Sequence, residues 1–258
     1  MAAGYNPGLM RPSGNSLLAR AAAAEIIVLL AVVAAAIGAQ TLIPLGALYP
    51  TKAAGAFAVV VLLTLPAIGA HHPFPRFGAA NQITTVRAGL VALVVSLIGE
   101  PPTPAVAMLA VAGALFATML DGADGWLARQ RGMASAFGAR FDMETDAALI
   151  LALAILVWQG GKAGPWVVLS GLLRYFFIAA GWCWAWMAAA LPSSLRGKVI
   201  CVVQIAALNL ALVPAVTPPG STAIAAFGLV ALAYSFLVDT RWLWQQGHQT
   251  PGTGRRTS

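Results

Sequence analysis

From residue 21 to residue 243 the chain alternates between long apolar stretches and short polar joints. Eight apolar stretches stand out, at roughly 21–44, 53–70, 84–99, 104–120, 138–159, 165–190, 198–215 and 222–243. They approach or exceed the ~20 residues that carry an α-helix across the hydrocarbon core of a bilayer. None shows the alternation over about ten residues that marks a barrel strand. The joints "YPTK", "HHPFPRFG", "GEPPTP", "QGGKAGP", "LPSSLRGK" and "TPPG" are rich in turn-forming residues. The pattern predicts an all-α fold, a polytopic transmembrane helical bundle.

Composition agrees. Of 258 residues, 60% are hydrophobic and 9% charged, and the mean hydropathy is +0.82. A soluble domain carries about 25% charged residues. The two cysteines, Cys183 and Cys201, fall inside apolar stretches and read as small core residues, not as a disulfide or zinc pair. The N-terminal segment lacks the pattern of a cleaved signal peptide. The tail, residues 244–258, is polar beyond its first residues and is expected to be disordered.

Charge gives the orientation. With both termini cytoplasmic, Arg11, Arg20, Arg76, Arg87, Arg129, Arg131, Arg140, Arg196, Lys198, Arg241, Arg255 and Arg256 lie on or near the cytoplasmic side. Only Lys52 and Lys162 fall on the other side, and Arg174 lies within a span. The positive-inside rule favours this topology, and a cell inner membrane is the expected location. Anionic membrane lipid is partner enough for the net charge of +7, so no nucleic acid is needed.

One segment breaks the apolar monotony. "DGADGWLARQRGMASAFGARFDMETD" holds four of the five aspartates. Positions three and four apart share a helix face. Asp121, Asp124, Gly125 and Ala128 therefore form one stripe, and Gly138, Asp142 and Asp146 a second. If the two helices meet along these stripes, four carboxylates converge at the cytoplasmic boundary. Such a cluster needs cations. All-oxygen ligation suits Mg²⁺ or Mn²⁺, and four carboxylates suffice for two ions, the arrangement used in phosphoryl transfer. Gly125 and Ala128 leave room for a substrate to lie against the helix.

This segment resembles the signature of the CDP-alcohol phosphotransferase (CDP-alcohol phosphatidyltransferase) family, D-x2-D-G-x2-A-R-x8-G-x3-D-x3-D. Every spacing is kept, through Asp121, Asp124, Gly125, Ala128, Arg129, Gly138, Asp142 and Asp146. Upstream, Asn81, Thr84 and Arg87 resemble the N-x2-T-x2-R element that opens the family's first core helix. The likeness implies a six-helix core over 72–243, preceded at 1–71 by a cytoplasmic segment and two helices extra to the family.

The resemblance further implies integral membrane enzymes of phospholipid synthesis. An acceptor hydroxyl attacks the diphosphate of CDP-diacylglycerol, a phosphodiester forms, and CMP leaves. Carried over residue by residue, Asp121, Asp124 and Asp142 become metal ligands, and Asp146 becomes the general base with a possible metal contact. Gly125, Ala128, Arg129, Gly138, Asn81 and Thr84 would bind the CDP moiety and its diphosphate. The family implies a homodimer as well.

The acceptor is left open. The basic set Arg87, Arg140, Arg174, Arg196 and Lys198 leans towards an anionic alcohol, phosphorylated or not. Arg196 and Lys198 serve equally as membrane anchors or as part of an anion pocket. Gly197, Lys198 and Gln204 resemble the G-K-x-K-T-x2-Q stretch of phosphatidylglycerophosphate synthases, but Ile200 and Cys201 replace its second lysine and its threonine. A CDP-alcohol donor with a lipid acceptor is the alternative on the same scaffold. A divalent-cation transporter is a third reading, but it would need polar residues along a path that the Ala-, Val- and Leu-rich spans lack. Elsewhere, Glu144 lies about 200° round the helix from Asp142 and should face away. Glu25 is expected to be neutralised by nearby Arg20. His71 and His72 are expected at the headgroups, and Asp239 and Arg241 to snorkel from the last span.

Overall fold

The structure, a computed structural model, describes residues 14–71, 79–131, 136–189, 191 and 194–248. Among them lie eight α-helices and no strand. They are α1 (Gly14–Leu42), α2 (Tyr49–His71), α3 (Ala79–Ser96), α4 (Pro104–Arg131), α5 (Ala136–Gln159), α6 (Leu169–Cys183), α7 (Leu195–Leu212) and α8 (Gly220–His248). Each apolar stretch of the sequence contains or overlaps one α-helix.

Five of these helices are long and apolar enough, among the described residues, to cross a membrane: α1, α4, α7, α8, and α6 with the turn before it. Shorter apolar segments, Tyr49–Thr64 and Gln82–Ser96, lie in α2 and α3. α5 carries Arg140, Asp142, Glu144 and Asp146 in its first half. Exposed Ile27, Leu30, Leu62, Phe227 and Leu237 give the outer surface the apolar character that lipid favours.

Three boundaries differ from the hydropathy reading. α4 runs on to Arg131, so the first half of the aspartate signature is helical. The sixth stretch does not stay helical to residue 190. A 3-10 turn at Pro165–Val168 leads into α6, which stops at Trp184 (φ −125°, ψ 108°) before a second 3-10 turn. No proline interrupts the run before Pro192, so hydropathy alone misses this stop. α8 continues through Trp244 to His248, into the expected tail, and residues 249–258 lie outside the described residues.

The chain forms two compact units, Met1–Glu100 with Ala112–Thr145, and Pro101–Val111 with Asp146–Ser258. In the first, α1, α2 and α3 pack against one another. A Cβ on Gly89 of α3 would stand 2.8 Å from Val28 and 3.0 Å from Val32, so the missing side chain lets α1 approach closely. Glu25 is buried at 2% exposure and accepts a 2.6 Å hydrogen bond from the Thr64 hydroxyl of α2. Its described partner is thus a hydroxyl across the hairpin, and the Arg20 side chain lies outside the described residues.

The α1–α2 joint is fastened to the end of α3. Glu100 accepts a hydrogen bond from the Gly46 amide at 2.6 Å and pairs with Lys52, whose ammonium also donates to the Ile98 carbonyl at 3.2 Å. The Tyr49 hydroxyl donates to Leu93 O at 3.2 Å. Burial alone would raise the Glu100 pKa. The hydrogen bonds from Lys52 and Gly46, with the lysine charge, outweigh that and hold it below the ordinary value.

In the second unit, α8 packs against α7 and α6. α7 starts at the N-cap Ser194, whose hydroxyl accepts from the Gly197 amide at 3.1 Å. α6 crosses α5 at Gly171, where a Cβ would stand 2.5 Å from Leu151 Cα. α5 ends at a turn in which Gly161 takes φ +66°, and Lys162 follows. The Lys162 ammonium donates to the carbonyls of Val213, Pro214 and Val216 at 3.2, 3.2 and 2.7 Å, just past the end of α7. Its own carbonyl accepts from Ser221 and Thr222 at 2.6 and 3.0 Å. A cavity of about 170 Å³ beside it is lined by Val106, Leu156, Gln159 and Leu212, among others.

Candidate active site

Three elements contribute the charged groups. α4 supplies Asp121, α5 supplies Asp142 and Asp146 one turn apart, and α3 supplies Arg87. The i, i+4 spacing on α5 places both carboxylates on one face. Asp121, Asp142 and Asp146 each offer a carboxylate oxygen, all within 4.8 Å of one another.

Arg87 is the buried member, with its side chain 1% exposed against 31% for Asp121 and 37% for Asp142. Its Nη1 lies 2.9 Å from Asp121 Oδ1 and also donates to Asp142 Oδ1. Nε donates to the Ala117 carbonyl at 3.1 Å, one helical turn before Asp121. Arg87, expected among the acceptor-binding groups, is therefore held by two signature aspartates.

On α7, Cys201 Sγ lies 3.8 Å from Asp146 Oδ2, within reach of a weak S–H···O hydrogen bond. Cys201 is half-buried and Cys183 exposed, so neither is the buried core residue the sequence suggested. The signal for Cys201 lay in the stretch with Lys198 and Gln204, where it stands in the threonine's place.

The remaining expected site residues lie on α3 to α7. Thr84 is buried on α3, and Gly138 half-buried near the start of α5. Arg140 and Lys198 are exposed, and Arg174 is half-buried on α6. Arg196 pairs with Asp239 of α8, so Asp239 is engaged by a helix neighbour instead of snorkelling alone. Gln204 is fully buried beside Gly228, where a Cβ would stand 2.6 Å from its Oε1. Asp124, Gly125, Ala128 and Arg129 lie along α4 and Asn81 along α3, but their side chains, like those of His71 and His72, are outside the described residues.

The donor set fits a hard divalent cation. Three carboxylates within mutual reach offer oxygen ligands only, which Mg²⁺ and Mn²⁺ prefer over nitrogen or sulfur. Residues 77–238 match the CDP-alcohol phosphatidyltransferase family model. The chain belongs to that family. It is therefore a transferase of phospholipid biosynthesis, in a family that uses CDP-alcohol substrates, membrane lipids and divalent metals. The match begins after α1 and α2 and includes the whole aspartate signature. No match was found among curated proteins or solved structures.

Proposed function

We propose that this enzyme transfers a phosphatidyl group from CDP-diacylglycerol to the hydroxyl of a small polar alcohol, releasing CMP. The observation that carries the reading is the convergence of Asp121, Asp142 and Asp146 in the family's signature order. Asp121, Asp124 and Asp142 would hold the metal, and Asp146 would take the proton of the attacking hydroxyl. The new bond joins the acceptor oxygen to the phosphorus that carries diacylglycerol, and the bond that breaks joins that phosphorus to the oxygen leaving with CMP. An alcohol is a poor nucleophile at neutral pH, so a carboxylate within hydrogen-bond reach lowers the barrier. Bound divalent cations would supply charge neutralisation at the diphosphate and at the departing CMP.

Gly125, Ala128 and Gly138 would leave space for the cytidine and ribose, with Arg129, Asn81 and Thr84 near the diphosphate. The uneven distribution of basic residues supports a cytoplasmic active site, cytoplasmic termini and an inner-membrane setting. Acyl chains can then stay in lipid while the acceptor arrives from water. Arg140, Arg174 and Lys198 are candidates for an anionic acceptor. Arg196 is a weaker one, because Asp239 engages it.

The test is CMP release from CDP-diacylglycerol by the purified protein with Mg²⁺ or Mn²⁺, across glycerol 3-phosphate, inositol phosphate, serine and choline. Metal-dependent release with one acceptor, absent in Asp146→Asn, is expected. An Asp146→Asn protein with wild-type turnover would remove Asp146 from the chemistry. Silence across the panel, with release from CDP-choline and diacylglycerol, would favour the inverted donor arrangement.

A further inference from the structure

The buried guanidinium of Arg87 is engaged by oxygens of two other helices. It spans three backbone or side-chain acceptors: Ala117 O, Asp121 Oδ1 and Asp142 Oδ1. All lie on α4 and α5, whereas Arg87 itself comes from α3. Its planar fork suits several simultaneous oxygen partners better than a lysine ammonium would. At 1% exposure, it could not remain buried without carboxylates, and their mutual repulsion at a membrane boundary would be large without it.

We infer that Arg87 is a resident counter-cation of the carboxylate centre. It braces Asp121 and Asp142 in the metal-free protein and competes with the incoming divalent cation for them. The inference rests on the reading of these aspartates as a metal centre and deepens it by reassigning Arg87 from acceptor to ligand positioning. Its physical content is linkage. Arg87 stabilises the metal-free form more than the metal-bound form, because in the latter two cations share the same oxygens and repel each other. Removing the arginine charge must therefore weaken the metal-free protein and tighten metal binding together. A residue that bound only the acceptor would do neither. One that merely built the ligand geometry would, on removal, loosen metal binding.

The experiment uses the full-length protein in detergent, stripped with EDTA. Mn²⁺ binding is titrated through the electron paramagnetic resonance signal of the free ion, and thermal unfolding is followed with and without Mn²⁺. Wild type should bind Mn²⁺, and Asp142→Asn should lose most of that binding. Arg87→Met should unfold at lower temperature than wild type without metal. It should bind Mn²⁺ about tenfold more tightly, a conservative figure for a unit charge a few ångströms away, and gain more from Mn²⁺ than wild type does.

Equal or weaker Mn²⁺ binding by Arg87→Met overturns the inference while leaving the metal centre intact. A wild type that binds no Mn²⁺, or an Asp142→Asn protein that binds it equally, overturns the metal centre and the inference with it. If Arg87→Met is recovered folded only when Mn²⁺ is present throughout purification, the inference is supported. If it is not recovered at all, Arg87→Gln decides. That variant removes the charge but keeps an amide that can donate to the carboxylates, so tighter Mn²⁺ binding than wild type supports the inference, and unchanged or weaker binding overturns it.

Discussion

Replacing Lys162 by methionine keeps the aliphatic stem and removes a single ammonium. That ammonium caps the end of α7 through the carbonyls of Val213, Pro214 and Val216. These oxygens lie at the negative end of the helix dipole, where a cation is favoured. A hydrogen bond from a charged donor contributes roughly 1.5–3 kcal/mol. The three share one half-buried donor, and water can reach the vacated carbonyls, so their sum overstates the loss. A destabilisation of about 3 kcal/mol is expected, which for a unit of this size corresponds to a melting shift of about 6–12 °C. The assay is thermal unfolding of the purified protein in detergent by tryptophan fluorescence, with Trp158 and Trp166 flanking the turn as reporters. Lys162→Arg should fall between, because a planar fork fits three convergent carbonyls poorly. A methionine variant melting within about 2 °C of wild type would refute the capping argument.

The Glu100 carboxyl is held below its ordinary value of 4.5, so its contribution is complete above that pH and fades as pH falls through the lowered value. Wild type should therefore lose melting temperature in acid below about pH 4.5 more steeply than Glu100→Gln, and parallel curves would contradict the argument. Gly89→Ala should cost about 1–3 kcal/mol by overpacking against Val28 and Val32, read as a lower midpoint in thermal unfolding; an unchanged midpoint would mean α1 yields freely. Cys201→Leu should lower the saturated rate about three- to tenfold with KM preserved, as expected from losing one weak hydrogen bond to Asp146, while Cys201→Ser retains it. An equal loss in both variants would argue for packing instead. The half-exposed Arg196–Asp239 pair should be worth within about 1 kcal/mol. An acceptor KM raised in Arg196→Gln but not in Asp239→Asn would return Arg196 to the acceptor pocket.

Long apolar runs made all eight helices legible, because the membrane criterion depends on local composition alone. The stop at Trp184 was not legible, since it lies in an uninterrupted apolar run and depends on how the segment packs. In the site, the i, i+4 spacing anticipated that Asp142 and Asp146 share a face, and the signature anticipated that Asp121 joins them. Arg87 was noticed as part of a motif, but its burial between Asp121 and Asp142 depends on α3 meeting the ends of two helices far along the chain. Cys201 and Asp146 are brought together in the same way, and no local pattern announces a contact between residues that distant. Lys162 looked like an ordinary charge on the outer side. Its role emerged only from the three carbonyls that the end of α7 turns towards it.

The joint between α1 and α2 bears on modularity. Gly89 and Glu100 belong to the stretch shared with the family, whereas Val28, Val32, Gly46 and Lys52 precede it. The matched stretch thus carries a fitted notch and a charged latch for two helices that lie outside the family match. Excising those helices would open the notch at Gly89 and strip Glu100 of its ammonium. A chimera exchanging the hairpin should therefore exchange the matching residues of α3 and the turn after it.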